Sequence, residues 1–498
     1  MSLHELYLAL LAGGLVVLVS IVATRIAERV GLPSLLLFLG VGVLLGEDVV
    51  GIRFDNAQLA QNLGTAALAV ILIEGGLATT WSDIRSVIAP AGVLASLGVG
   101  VSTTVTALGA HYLLGIGWQQ SLLLGAIVSS TDAAAVFSTL RVLPLPKRVA
   151  GLLEAESGFN DAPSIILVLL LSAHPLHVHA ASFVGSLVYE LAAGAAIGAA
   201  IGWLGAVTLP RIALPASGLY PLATFGLGIV AFAAAGAARA SGFLAAYIAA
   251  LILANAGLPH RAATRSFAEG FAWLAQIGLF VLLGLLVTPH RLPHQIVPAL
   301  VVGLVLLLAA RPLAVLASLL PFRIPIREQV FLSWAGLRGA VPIVLATFPI
   351  VHGVPHSDRL LNIVFVLVVV FTLVQGPSLG LVARRLGLVP REVTREILVE
   401  SAPLDVLDAE LLTMTIAPKS RLHAVSIIEL RLPDPSVVTL IIRAGHTFVP
   451  TDDTQLRAGD ELLIVTTRST RQATERRLRA VSRRGPLARW FEEYGAAD

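Results

Sequence analysis

About thirteen apolar stretches, most of them near 20 residues long, dominate this chain. They lie near 6–24, 33–47, 62–80, 87–112, 119–140, 150–172, 181–208, 219–236, 241–257, 267–287, 295–319, 330–350 and 360–383. A helix needs about 20 mostly apolar residues to cross a bilayer. Helices and closed barrels alone can satisfy their own backbone there. The stretches therefore predict an all-α polytopic membrane domain of about 13 transmembrane helices. Composition agrees: 56% of residues are hydrophobic and only 13% charged, against roughly 25% charged in soluble domains. The absence of Cys excludes disulfide frameworks, Cys-based zinc sites, iron–sulfur clusters and a Cys nucleophile. A net charge of +3 gives no argument for nucleic acid.

Charge divides the chain. Residues 1–385 carry 34 charged side chains, and residues 386–498 carry 31 in a much shorter length. This sets a membrane domain at 1–385, a charged linker at 386–403, a small α+β domain at 404–482 and a tail at 483–498. Assigning alternate loops to opposite faces puts 14 basic residues, Arg25 through Arg385 and including Arg311, on one side and four (Arg53, Arg239, Arg291, Arg359) on the other. The positive-inside rule then expects the N-terminus outside and the C-terminal domain in the cytoplasm. Met1–Glu5 has no basic segment, so the first helix is read as uncleaved. Most His residues would face outside as polar loop filling. His174, His177 and His179 have loose ligand spacing but no Cys or acidic neighbour, so no metal site is assigned.

Five charges inside the apolar stretches stand out: Glu74, Asp132, Glu156, Asp161 and Arg338. Each costs about 2.5–3.5 kcal/mol at the bilayer centre on insertion scales, so each is a candidate for function. Glu74 precedes two glycines that allow close helix approach. Asp132 ends Ser129-Ser130-Thr131-Asp132, whose hydroxyls compete for the backbone and weaken a helix. Unwound backbone survives in a membrane only inside protein or beside a wet cavity, as in transporter ion sites. Ser157 with Asp161, and Glu156 with Asn160, are four apart and share neighbouring helix faces. Oxygen donors of this kind suit hard cations, and a carboxylate can also hold a proton. Arg338 lies among Gly336, Gly339 and Pro342, which make its helix easy to break. It needs an acidic partner, and Glu156 is the natural choice. Four acids and one Arg sum to −3 if all ionise, which protons, a cation or helix N-terminal dipoles must offset. A site that holds either a cation or a proton is an exchanger site.

Three strings, Ser129–Ser138, Glu156–Asp161 and Gly336–Pro342, resemble the monovalent cation/proton antiporters of the CPA1 family, and most of all its bacterial potassium/proton branch. The resemblance implies a 13-helix fold of two inverted repeats, with a dimer-forming scaffold and a moving core. In that core two broken helices cross near Thr131-Asp132 and Gly336–Gly339. It implies that Asp161, Thr131, Ser157 and Glu74 bind the ion or proton, with Asn160 in support. Glu156 and Arg338 would form a structural ion pair, and Asp132 would offset broken-helix ends. It further implies K+ (or Na+) and H+ as substrates, an inner-membrane location, no cofactor, no metal beyond the transported cation, and a homodimer. Ala133 and Ala162-Pro163 depart from many sodium-transporting members, which carry Pro and Gly at those places.

After the linker, three strand-like runs, Ala424–Leu432, Val437–Arg443 and Glu461–Thr466, are followed by a helical pattern at 469–481. With the Gly459-Asp460 turn they resemble the small TrkA-C (RCK C-terminal) subdomain, which implies dimerisation and a small regulatory ligand. No Gly-x-Gly-x-x-Gly fingerprint precedes it. The basic run Arg476, Arg477, Arg479, Arg483 and Arg484 reads as a solvated or lipid-facing helix. The whole reading is a secondary antiporter and not an enzyme: electroneutral K+/H+ exchange at Asp161 by alternating access, with Na+/H+ exchange as the alternative. A channel lacks its Thr-Val-Gly-Tyr-Gly filter, and a hydrolase lacks its Gly-x-Ser-x-Gly or paired-His motif.

Overall fold

The structure is a computed structural model that describes residues 2–30, 33–132, 143, 145–173, 180–212, 214–389, 399–404, 409–417, 420–443, 445–467 and 469–484. His174, His177, His179 and the Ala133–Ser138 part of the first motif lie outside these residues. The chain divides into two compact units, Met1–Val389 and Pro390–Asp498.

The first unit is helical: α1 (Leu3–Val30), α2 (Ser34–Leu45), α3 (Ala57–Ala78), α4 (Ile88–Leu114), α5 (Trp118–Ser129), α6 (Lys147–Phe159), α7 (Asp161–Ser172), α8 (Ala180–Thr208), α9 (Leu219–Ala237), α10 (Gly242–Asn255), α11 (Arg261–Leu285), α12 (Pro293–Phe322), α13 (Ile326–Trp334), α14 (Ala340–Val351) and α15 (Ser357–Arg385). Among the described residues, eight helices are long and apolar enough to cross a membrane. The other expected spans are short or interrupted, and each interruption has a chemical cause. Pro163 sits in the first turn of α7, where it cannot donate to the carbonyl of Phe159 and its ring crowds that carbonyl, so the 150–172 stretch breaks at Asn160. The Ser129-Ser130-Thr131 run ends α5, with Ser130 in extended conformation. Gly336 and Gly339 separate α13 from α14, and Pro342 falls in the first turn of α14, where its missing N–H costs nothing.

Packing is densest within two groups. One joins α2, α3, α8, α9, α10 and α11. The other joins α4, α5, α7, α12, α13, α14 and α15, together with α6. The largest buried cluster runs through Phe38, Leu72, Leu123, Ile127, Phe280, Phe331 and Ile343. All three polar breaks (130–132, 160 and 335–339) are buried.

The second unit is α+β. Strands β1 (Val399–Leu404), β2 (Ala409–Thr415), β3 (Val437–Arg443), β4 (His446–Phe448) and β5 (Glu461–Thr467) form an antiparallel sheet in the order β1-β2-β5-β3-β4. Leu462, Ile464 and Thr466 alternate into the core with Leu412, Met414, Ile441, Leu478 and Val481. Strand β1 falls at the end of the expected linker and pairs with β2. The expected strand at 424–432 is instead a turn followed by a short helix, α16 (Ile427–Leu430). Ser426 accepts from the N3 N–H, and Glu429 accepts from Ser426 N at 2.9 Å, a capping box that favours helix entry over a strand. The last helix, α17 (Arg471–Arg484), packs on the sheet through Leu478 and Val481, and Arg477 Nε donates to Leu430 O of α16 at 2.8 Å. At that position the basic run is docked rather than solvated.

Candidate functional site: two crossing helix breaks

The breaks after α5 and before α14 meet backbone to backbone, Asp132 N donating to Leu337 O at 3.0 Å. Helix ends carry about half a charge each, positive at the N-terminus and negative at the C-terminus. The side chains match these signs. Arg338 Nε donates to Val128 O at 2.7 Å, at the end of α5, and Nη1 donates to Gly336 O at 2.6 Å. Asp132 Oδ2 accepts from Ala340 N at 3.1 Å, at the start of α14. Residue 339 must be Gly, because a Cβ there would overlap the Asp132 carboxylate. Thr372 on α15 donates to Arg338 O at 2.7 Å and holds the crossing from behind.

Beside the crossing is a cluster of oxygen-bearing side chains. Ser130 donates to Asp161 Oδ1 at 2.6 Å. Asn160 Nδ2 donates to Thr131 Oγ1 at 2.6 Å, and Thr131 Oγ1 lies 3.2 Å from Ser157 Oγ. Ser129 and Ser164 extend the cluster, hydroxyl to hydroxyl, at 3.3 Å. Ser130, Thr131, Ser157, Asn160 and Asp161 are all at most 2% exposed. Among the described residues, Asn160 Oδ1 is buried with no hydrogen-bond partner. An orphaned acceptor beside a carboxylate and three hydroxyls is an oxygen-only donor set, which suits a hard cation.

The structure thus brings Thr131, Ser157, Asn160 and Asp161 together and adds Ser130. Asp132 and Arg338 it places at the crossing. Glu74 is buried on α3, next to Gly75, whose carbonyl accepts from Thr79 Oγ1 at 2.7 Å. One expectation is corrected. Glu156 pairs not with Arg338 but with Arg311 of α12: Arg311 Nη2 donates to Oε2 at 2.8 Å and Nη1 to Oε1. Arg338 does not take this role because its guanidinium is committed to the carbonyls of Val128 and Gly336. The loop count places Arg311 at the cytoplasmic surface, yet it is 5% exposed inside α12. Its position within the 295–319 apolar stretch was the available signal. With Arg311 included, the four acids and two arginines sum to −2 if all ionise.

A family model described as sodium/hydrogen exchanger, transmembrane, matches residues 15–385, and a TrkA-C domain model matches residues 411–479. The chain is 39% identical over 473 residues to a K(+)/H(+) antiporter NhaP of Alkalimonas amylolytica, covering 93% of this chain and 82% of that protein. It is 36% identical over 494 residues to a K(+)/H(+) antiporter NhaP2 of Shewanella oneidensis, covering 97% and 85%. Among solved structures, the sodium proton antiporter MjNhaP1 from Methanocaldococcus jannaschii aligns with a TM-score of 0.66 at 22% identity, over 77% of this chain and 99% of that one. That likeness establishes the fold.

Proposed function

The chain belongs to the sodium/hydrogen exchanger family, and from that premise we propose that it exchanges K+ for H+ across the inner membrane. The observation that carries the reading is Asp161, buried among Ser130, Thr131, Ser157 and Asn160 where helices break. Ionised, Asp161 supplies the counter-charge for a cation, and the neighbouring oxygens replace its water. Protonated, it no longer balances a cation and releases it. One carboxylate serves two competing substrates, so alternating exposure to the two sides couples their movements. Thr131, Ser157 and, from α3, Glu74 bind the ion or proton with Asp161. Asp132 and Arg338 hold the opposed helix ends, and Glu156 with Arg311 braces α6 against α12.

The K+ assignment rests on relatives named K(+)/H(+) antiporters at 36–39% identity and on the Thr131-Asp132-Ala133 string; Na+ is its rival. Asn160 in place of a second Asp leaves Asp161 as the obvious proton carrier, so exchange is one-for-one and electroneutral. The protein works as a homodimer with its N-terminus outside. Its C-terminal unit lies in the cytoplasm, where it takes part in dimerisation and accepts a small regulatory ligand.

The test is dequenching of a pH-sensitive dye in everted vesicles on adding K+ or Na+, with Asp161→Asn alongside. A K+ response abolished in the variant is expected. A response to Na+ alone would move the chain to the sodium branch. Substantial exchange by Asp161→Asn would overturn the mechanism, and voltage-dependent turnover in proteoliposomes would overturn electroneutrality.

A further inference from the structure

Among the described residues of the first unit, Tyr247 of α10 is the largest fully buried side chain, at 0% exposure. It stands between two segments that bear candidate ion-site residues. On one side its ring rests on the bare backbone of Gly158, the residue after Ser157. A Cβ at Gly158 would lie 2.9, 3.0 and 3.2 Å from three ring carbons. The same ring meets Phe159 edge to face, with centroids 5.7 Å apart. On the other side its hydroxyl donates to Thr79 Oγ1 at 3.5 Å, and that hydroxyl donates to Gly75 O beside Glu74.

The two sides are held differently. Helices α3 and α10 are stapled at their ends. Asn255 Nδ2 donates to Thr79 O at 3.3 Å, and Trp81 N donates to Asn255 Oδ1 at 2.9 Å. Between Tyr247 and α6, by contrast, the packing contacts among the described residues are ring against glycine backbone and ring against ring, and Glu154 of α6 acts on the Tyr247 hydroxyl through its charge. Such packing contacts hold no hydrogen bond that must break, so they cost less to slide than the staples between α3 and α10.

We propose that Tyr247 is a positioning residue for exchange: its ring on Gly158 is the smooth contact over which the ion-site helix α6 moves past the α3–α10 pair during turnover. This rests on the exchange reading above. Tyr247 acts through Gly158 and not on the cation, so the proposal concerns rate and not affinity. A Cβ on Gly158 meets a rigid ring and roughens the contact. A smaller side chain at 247 makes room again.

The test measures K+-driven proton flux in proteoliposomes of the full chain, separating maximal rate from half-saturating K+. Gly158→Ala is expected to slow the maximal rate at least about tenfold and leave half-saturation within about twofold. Tyr247→Leu combined with Gly158→Ala is expected to recover most of that loss, which a generally damaged fold would not do. Tyr247→Phe keeps the ring and loses only a hydrogen bond at the limit of reach, so it stays within about twofold of wild type. Tyr247→Trp presses the same contact from the other side and slows turnover likewise, so the test does not hang on one variant folding. A wild-type rate for Gly158→Ala, a loss expressed in K+ affinity, or no relief by Tyr247→Leu overturns the inference alone. A wild-type protein that moves protons with neither K+ nor Na+ overturns the exchange reading, and the inference with it.

Discussion

Among the described residues of the membrane unit two arginines are buried, and the region around each neutralises it in a different way. Arg311 in α12 faces a carboxylate, with both amino groups on Glu156. Arg338 in the break before α14 bonds the carbonyls of Val128 and Gly336. The first is a full charge against a full charge. The second is a full charge against the partial charge of a helix end, worth up to about 2 kcal/mol when partly buried. The contrast teaches where the unit tolerates movement. A bidentate ion pair fixes α6 to α12 in one geometry, whereas carbonyls at an unwound end belong to backbone that is already free of helical bonds.

The two regions should therefore fail differently. Arg311→Ala leaves Glu156 buried without its ion-pair partner, and breaking a buried pair costs about 3–5 kcal/mol. Arg338→Ala orphans carbonyls, at about 1–3 kcal/mol. Thermal unfolding of the detergent-solubilised protein should rank them in that order. The reverse order would mean that Glu156 relies on Arg338 after all. A double-mutant cycle sharpens the comparison. The coupling of Glu156 to Arg311 should exceed its coupling to Arg338 by about 1 kcal/mol or more.

The same comparison shows what the sequence can and cannot reveal. Asp132, Asn160 and Asp161 were legible because polar residues in an apolar run have few reasons to be there. The breaks were legible from Ser129–Thr131, Gly336, Gly339 and Pro342. Which base meets which acid was not, because Glu156 and Arg311 lie 155 positions apart and only the fold of α12 against α6 joins them. Ser130 was hidden for a related reason: three hydroxyls in a row look alike until backbone geometry aims one of them at Asp161. In the second unit, Val437–Arg443 and Glu461–Thr466 were legible as short apolar, β-branched runs beside turns, but β1 was not. Its Val399-Glu-Ser-Ala-Pro-Leu404 sequence lacks alternation, and it is a strand because β2 offers it an edge.

The C-terminal unit extends the contrast to a second fold. Asp460 is buried, yet its partner Arg443 is a quarter exposed. Arg443 donates to both carboxylate oxygens at 2.8 and 2.7 Å, and Arg457 N donates at 2.7 Å. Burial pushes the Asp460 carboxyl up, but these donors outweigh it and hold the carboxyl below its usual range. A carboxyl lowered by folding contributes stability that is complete above its unfolded value, about 3.9, and is lost as pH falls through the lower folded value. Asp460→Asn should cost about 1.5–3 kcal/mol near neutral pH. The gap to wild type should narrow below about pH 4. A gap independent of pH would mean that shape, and not charge, holds this turn.

The smallest effect tests the one place where alternation misled. Ala424–Leu432 alternates like a strand, but Ser426 and Glu429 form a capping box and turn the chain into α16. If the cap selects that conformation, Ser426→Ala should cost about 0.5–2 kcal/mol, read in the unfolding of the C-terminal unit within the full chain. Ser426→Asp should retain most of that stability, because a carboxylate caps as well as a hydroxyl. The alternative is that packing of Leu430 into the sheet core selects the helix whatever stands at 426. In that case Ser426→Ala would be neutral, while Leu430→Ala would still cost about 2–5 kcal/mol. The pair of variants separates local capping from tertiary packing in a segment whose polarity pattern favours a strand.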